Sequence, residues 1–509
     1  MTKNSSKETS LERVPTGVPG LDLLWRGGLY RGGIYLLLGR PGAGKTILGN
    51  QICFHHVASG GRALFVTLLT ESHSRMLSHL KAFDFFDQKR VGASLKYLSG
   101  YQTLENEQLP GLLGFLRGLV RDQKATLLVI DGFVTAGGVA KSELDLKRFV
   151  HGLQALTELF GCTAILLSGA DGNSDQYAVR TMVDGLIELS FGPTGAGIAR
   201  TIEVVKARGG PVIMGRHRFD IAGPGITVYP RFEAADGRAP AGPAAARSPL
   251  SLGIKSLDEM VGGGLRPASV TMLLGASGTG KTLLGLHFLA AGSREGEPGL
   301  HFGFSETPSQ LLRNAEGLGS GLSRQLRSRL IERYWHSPGD DLLPDAVAET
   351  IIALVRKNRI RRLFIDGIDG FADALLDRGR TGKFFAAFGS ELRALGVATI
   401  FSQETRDLFA PEIELPLSEM AGTLDSIIFL RHVELRARLH RLISVMKMRG
   451  GGTDSSLREF SIGERGIQIS PTFDSAEAIL TGIARARPDF SKPPDPEGKG
   501  PVGRRGRQR

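Results

Sequence analysis

The sequence predicts two tandem α/β domains, each a mainly parallel, twisted sheet flanked by helices. Three observations predict this. The two halves of the chain repeat each other in order. Each half alternates short apolar runs with longer helical stretches. In each half the first apolar run ends in a glycine-rich loop that opens a helix. The length of 509 residues suits two to four domains, and 41% hydrophobic with 23% charged residues is ordinary for a globular chain.

The repeat comes first. Thr16–Asp22 (TGVPGLD) recurs as Leu252–Asp258 (LGIKSLD), 236 positions on, and Gly27-Gly28-Leu29 recurs as Gly263-Gly264-Leu265. Gly39–Thr46 (GRPGAGKT) returns as Gly275–Thr282 (GASGTGKT) at the same spacing. Asp131 matches Asp366 at 235, and Lys206–Gly209 (KARG) matches Lys447–Gly450 (KMRG) at 241. Matches in constant order at near-constant spacing mean duplication. The expected boundaries are a tail at 1–12, a first domain at 13–233, an Ala/Gly/Pro-rich linker at 234–248, a second domain at 249–478 and a basic tail at 479–509.

In the first half the apolar runs are Ile34–Leu38, Leu64–Leu68, Leu127–Ile130 and Ala164–Leu167, with a helix opening near Lys45. Short strands that are apolar throughout suit a parallel sheet covered on both faces. Gly185–Leu189, Thr201–Lys206 and Ile226–Tyr229 alternate more and read as an antiparallel extension.

Both glycine loops fit G-x-x-x-x-G-K-[ST] between a strand and a helix, the context that marks a phosphate-binding loop. Backbone N–H groups must converge on phosphate oxygens there, and side chains would obstruct them. Hence Gly39, Gly42 and Gly44 in the first loop and Gly275, Gly278 and Gly280 in the second, with Ala43 and Thr279 also counted among the binding positions. Lys45 and Lys281 are placed to reach the β- and γ-phosphates, and the Thr46 and Thr282 hydroxyls to meet Mg²⁺. Asp131 and Asp366 each end a buried strand, where a carboxylate can hold the same ion directly or through water. Glu71 and Glu306 follow the next strand and are candidates to orient or deprotonate an attacking water; the bland alternative is an acid near a helix start, with Ser72 and Thr307 suited as caps.

Lys206/Arg208 and Lys447/Arg449 are basic pairs two apart, so on a strand each pair shares a face. At the end of a distant strand they cannot easily reach their own loop but could reach a neighbour's nucleotide, as an arginine finger does. The alternative is a solvated pair that blunts a sheet edge. Asp184 and Asp425 also repeat, without an assigned role, and His55-His56 reads as part of a helix face.

Bulk features exclude other classes. Cys53 and Cys162 are too few for a disulfide framework or an all-cysteine zinc site, and suit buried thiols in a reducing compartment. The polar start MTKNSSKETS lacks a signal core, and no apolar run is long enough to span a bilayer, so a cytoplasmic protein is expected. The net charge is +11, and Ala484–Arg509 alone carries eight basic and three acidic residues. That segment reads as a disordered, solvated tail, or alternatively as an electrostatic arm for nucleic acid or an acidic partner.

The order of motifs, doubled, resembles the KaiC family within the RecA/RadA superfamily over about Val14 to Gly466. His301–Ala315 (HFGFSETPSQLLRNA), Ile443–Gly450 (ISVMKMRG) and Glu459–Ile462 carry the likeness further. The resemblance implies tandem RecA-like domains, a double-ring homohexamer with ATP between subunits, and slow Mg²⁺-dependent ATP hydrolysis. It implies that Lys45, Thr46, Asp131, Lys281, Thr282 and Asp366 bind ATP and Mg²⁺, and that Lys206, Arg208, Lys447 and Arg449 touch a neighbour's phosphates. It implies a role in signalling or timing through protein partners and, in the clock members, Ser/Thr autokinase and autophosphatase activity. Two departures bear on this. The family's Glu-Glu pair reads Thr70-Glu71 and Ser305-Glu306 here, and its phosphorylated Ser-Thr pair falls on Ala421-Gly422, with Thr423 and Ser426 off register. A KaiC-like ATPase without the standard phosphorylation cycle is therefore expected. The alternatives are an autokinase using Thr423 or Ser426, and a RecA-like DNA-dependent ATPase. The last lacks any separate DNA-binding module in the sequence.

Overall fold

The computed structural model describes residues 12–69, 73–169, 179–194, 197–234, 248–317, 321–337, 342–375, 377–405, 422–435, 438–449, 454–464 and 466–470. The chain divides into two compact units. The first runs to Arg238 and takes in 341–351 and 374–380, and the second holds the remainder.

The first unit is built on a nine-stranded sheet. From one edge its strands are Leu95–Ser99, Ala63–Thr67, Leu127–Asp131, Thr163–Ser168, Ile34–Gly39, Gly185–Thr194, Gly197–Ala207, Arg216–Ala222 and Gly225–Tyr229. The first six are parallel and the last three turn back antiparallel. Ile34–Gly39, Ala63–Thr67, Leu127–Asp131 and Thr163–Ser168 are buried at every position, as apolar strands between two helical layers must be. One layer packs Leu48, Ile52 and Phe54 of helix Lys45–Ala58 against Phe65, Val129 and Leu167. The other packs Leu112 and Leu116 of Tyr101–Gln123 and Phe149 and Leu153 of Glu143–Phe160 against Leu36, Leu128 and Leu166.

The second unit repeats this sheet strand for strand: Ile331–Trp335, Gly299–Gly303, Arg362–Asp366, Ala398–Glu404, Val270–Gly275, Ser426–Leu435, Arg438–Met448, Arg458–Gly463 and Gly466–Ile469. Helix Lys281–Arg294 covers one face through Leu284 and Phe288, beside Phe364 and Ile400. Phe384, Phe385 and Phe388 of helix Thr381–Ala394 form an aromatic cluster with Phe371 and Phe401.

Both predicted α/β domains are therefore present. Gly185–Thr194, read with the antiparallel extension, instead pairs parallel to Ile34–Gly39. Among the described residues no helix is long and apolar enough to cross a membrane.

Candidate active sites: two phosphate loops

Each glycine loop follows a strand at the centre of its sheet. At Gly39 a β-carbon would lie 2.8 Å from the Leu189 carbonyl oxygen, and at Gly275 one would lie 2.6 Å from that of Leu430, so no side chain fits. Gly44 and Gly280 hold φ of 101° and 102°, which favours glycine and turns the chain into the helix. Gly42 and Gly278 share the left-handed region, at 80° and 74°. Ala43 and Thr279 are fully buried, and the Thr279 hydroxyl donates to the Ala276 carbonyl at 2.8 Å. Neither side chain is therefore available to a ligand.

The Lys45 ammonium donates to the Gly39 and Arg40 carbonyls at 2.6 and 3.1 Å. Lys281 does the same to Gly275 and Ala276 at 2.7 and 2.8 Å. Burial pulls the Lys281 pKa down, opposed by the negative charges of Glu404, Asp366 and Asp369.

Asp131 is not on the strand next to Ile34–Gly39, because Thr163–Ser168 lies between them. The helix that leaves the loop crosses back over the sheet and closes this gap. The Thr46 hydroxyl reaches Asp131 Oδ2 at 2.9 Å, and Thr282 reaches Asp366 Oδ2 at 2.7 Å. At the second loop the other oxygen of Asp366 accepts from Ser402 Oγ at 2.6 Å, which itself accepts from the Gly367 N–H at 2.8 Å. A hydroxyl beside a carboxylate is an all-oxygen donor set, the kind that hard cations prefer. Among the described residues no cluster of three or more His, Cys, Asp and Glu forms a metal cage. The loop threonine and the strand-end aspartate are the oxygens that the described residues pair at each loop, with water and phosphate able to complete an ion's shell.

Glu306 stands just ahead of helix Pro308–Glu316. Thr307, not Glu306, caps that helix, in a reciprocal box with Gln310. The Glu306 carboxylate accepts from Asn314 Nδ2 at 3.1 Å. Burial raises its pKa, the Asn314 bond opposes this, and the charge of Asp366 raises it further. Glu306 is thus within electrostatic reach of Asp366. Glu71, its counterpart in the first repeat, lies outside the described residues.

The basic pairs sit at the other end of the sheet. Lys206 pairs with Leu186 and Ala207 with Gly185, while Gly185 pairs with Tyr35 and Leu189 with Gly39. Arg208 thus lies about five residues, roughly 16 Å along the strand, from its own loop. Lys447 and Arg449 end their strand in the same way, with Met448 opposite Ser426 and Gly275 opposite Leu430. Lys206 donates to the Arg180 and Thr181 carbonyls at 3.0 and 2.7 Å, and Arg208 to Met182 and Thr181 at 3.2 and 2.8 Å. Burial and the adjacent Arg208 lower the Lys206 pKa, and Lys447 is lowered in the same way beside Arg449.

Asp184 and Asp425, which had no assigned role, are structural. Asp184 Oδ2 accepts from the Ile34 N–H and Asp425 Oδ2 from the Val270 N–H, each at 2.9 Å, at the start of the strand that leads to the loop. His56 bonds Thr126 at 2.7 Å, as a helix-face residue does, and Cys53 and Cys162 are buried free thiols. Motif reading missed Ser402, Asn314, Asp369 and Glu404, because each lies outside any fixed spacing from the loop.

Comparison with known proteins matches this architecture. A family model described as "ATPase: KaiC" matches residues 14–233 and 250–473. The chain is 29% identical to the circadian clock oscillator protein KaiC of Rippkaea orientalis, over 94% of each chain. It is 28% identical to the protein of that name from Picosynechococcus sp., again over 94% of each. The circadian clock oscillator protein KaiC 1 of Synechocystis sp. is 28% identical over 93% of this chain and 92% of its own. With one family pattern running through both repeats and both phosphate loops, the chain belongs to the KaiC ATPase family.

Proposed function

We propose that the chain hydrolyses ATP at both phosphate loops, each site being completed by the basic pair of a neighbouring copy in a ring-shaped, hexameric homo-oligomer. The observation that carries this reading is the doubled pairing of a loop threonine with a strand-end aspartate, Thr46 with Asp131 and Thr282 with Asp366. It unites two sequence motifs in one oxygen-donor set at each lysine.

In this reading the loop N–H groups and Lys45 or Lys281 hold the β- and γ-phosphates, the lysine exchanging carbonyl oxygens for phosphate oxygens. Thr46 and Asp131, or Thr282 and Asp366, hold Mg²⁺, which when bound neutralises charge on the β- and γ-oxygens. Water attacks the γ-phosphorus, the bond to the β–γ bridging oxygen breaks, and the water's proton passes to Glu306 at the second loop. Glu71 holds the corresponding sequence position at the first. Arg208 and Arg449 of the neighbouring copy stabilise the charge of the transition state. The placement of both basic pairs far from their own loops supports this arrangement. So does the exposed apolar surface on the same strands, at matched positions: Ile198 and Val205 in the first repeat, Leu439 and Met446 in the second. Matched apolar patches of this kind suit self-association. The likeness to clock oscillator proteins supports a part in timing or signalling through protein partners, in the cytoplasm.

The test is ATP turnover by purified protein with and without magnesium, alongside sedimentation. Turnover by an oligomer that stops on chelation is expected, and a fully active monomer would remove the shared site. With the first loop silenced by Lys45→Ala, Glu306→Gln is expected to lower the remaining turnover by roughly 10²- to 10⁴-fold, the usual contribution of a positioned base. A change below threefold in phosphate release would strike Glu306 from the reaction.

A further inference from the structure

Arg208 and Arg449 each lie one residue past the end of their strand, where sheet pairing no longer fixes the backbone. On one side each is held by an aspartate, the Arg208 N–H donating to the Asp184 carbonyl at 2.7 Å and the Arg449 N–H to that of Asp425 at 2.9 Å. On the other side the two repeats use the same position in the sequence. The Tyr30 hydroxyl donates to the Gly209 carbonyl at 2.6 Å, and Arg266, 236 residues on, donates through Nη1 to the Arg449 carbonyl at 3.2 Å. A phenol and a guanidinium thus do one job at one place. Both are anchored. Tyr30 pairs with Arg13 in a two-stranded ribbon, its N–H donates to the Tyr35 hydroxyl at 2.6 Å, and its own hydroxyl accepts from Arg13 Nη2 at 2.8 Å. Leu265, just before Arg266, exchanges backbone bonds with Leu250 at 2.7 and 2.8 Å. A β-carbon at Gly210 would lie 2.3 Å from the Tyr30 hydroxyl, so the turn closes tightly on it.

A basic pair that merely solvates a sheet edge has no need of a backbone fixed on both sides. A guanidinium that stabilises transition-state charge does need it, because a misplacement of about 1 Å can cost on the order of 10² in rate. Tyr30 and Arg266 stand far from their own loops. Each precedes the strand that leads to the loop, Ile34–Gly39 or Val270–Gly275, and so lies at its opposite end. We propose that Tyr30 and Arg266 are positioning residues that aim Arg208 and Arg449 at the nucleotide of a neighbouring copy. This rests on the shared-site reading above and adds to it the groups that place the arginine.

The experiment mixes two kinds of full-length copy, both with Lys281→Ala so that ATP turns over at first loops alone. One kind has Lys206→Ala/Arg208→Ala and supplies the loop, and the other has Lys45→Ala and supplies the pair. Tyr30→Phe removes only the hydroxyl. In the copy that supplies the pair it is expected to lower kcat by about 10- to 10²-fold with KM for ATP unchanged. In the copy that supplies the loop it is expected to change kcat by less than about threefold. A tyrosine that served only its own fold would not distinguish the two placements. Arg266→Leu is expected to behave in the same way at the second loop, read with Lys45→Ala throughout, Lys447→Ala/Arg449→Ala in one copy and Lys281→Ala in the other. A loss below about threefold from either change in the copy that supplies the pair, or an equal loss in both placements, would overturn the proposal. No turnover in the mixture before Tyr30 is changed would overturn the shared-site reading, and this proposal with it.

Discussion

Replacing Lys206 and Arg208 together by Ala is expected to lower ATP turnover at the first loop on the order of 10³-fold while ATP remains bound. The second loop is silenced by Lys281→Ala so that one site is read. The expectation follows from position. Both side chains lie at the end of the sheet away from their own loop, where they donate to the carbonyls of 180–182. They therefore contribute nothing to holding nucleotide in their own protomer, and their loss should leave filter binding intact. Mixing provides the stricter check. Copies with Lys206→Ala/Arg208→Ala keep a sound first loop, and copies with Lys45→Ala keep a sound basic pair. If the pair acts across a subunit boundary, mixed oligomers regain turnover that neither parent has. If mixing restores nothing, the shared-site mechanism fails.

The second large effect concerns stability. Arg362 has no exposed side-chain surface. It donates to Glu297 and Glu295 at 2.6 and 2.7 Å and to the Ser251 and Phe288 carbonyls at 2.6 and 3.0 Å, with its guanidinium 5.0 Å from the centre of the Phe288 ring. Arg362→Ala removes every one of these donors and leaves a cavity, at an expected cost of about 3 kcal/mol. The first repeat has Leu127 at this position, itself fully buried, so Arg362→Leu, which keeps apolar volume, should cost less. The chain has two tryptophans, Trp25 in the first unit and Trp335 in the second. With Trp25→Phe, urea unfolding followed by fluorescence reports the second unit alone. A loss under 1 kcal/mol for Arg362→Ala would show that these bonds add little.

Most of the fold was legible because the repeat let each half check the other, and because strands such as Ile34–Gly39 are apolar at every position. Leu95–Ser99 was not legible. It is an edge strand, buried fully only at Leu95, and its sequence LKYLS carries no clear pattern. Arg216–Ala222 was missed for a related reason: it is a half-buried strand in which charged residues interrupt the alternation. At the sites, residues bound to the loop by fixed spacing could be read directly. Ser402 could not, because it meets Asp366 through pairing of neighbouring strands rather than through sequence proximity. Asp184 and Asp425 could be found by repetition, but their work is done by backbone contacts that no residue pattern displays.

Those two aspartates have a mechanical consequence. Asp184 exchanges two bonds with Ile34, Oδ2 accepting from its N–H and the Asp184 N–H reaching its carbonyl, while the Asp184 carbonyl accepts from the Arg208 N–H at 2.7 Å. Asp425 ties Val270 to Arg449 in the same way, with the last bond at 2.9 Å. One residue thus rivets the root of the strand that feeds each lysine to the root of the strand-end arginine. Neither can slide without dragging the other, so under the proposed shared site a displacement begun at one nucleotide would be delivered, by a stiff rod rather than a loose tether, to the arginine assigned to the next.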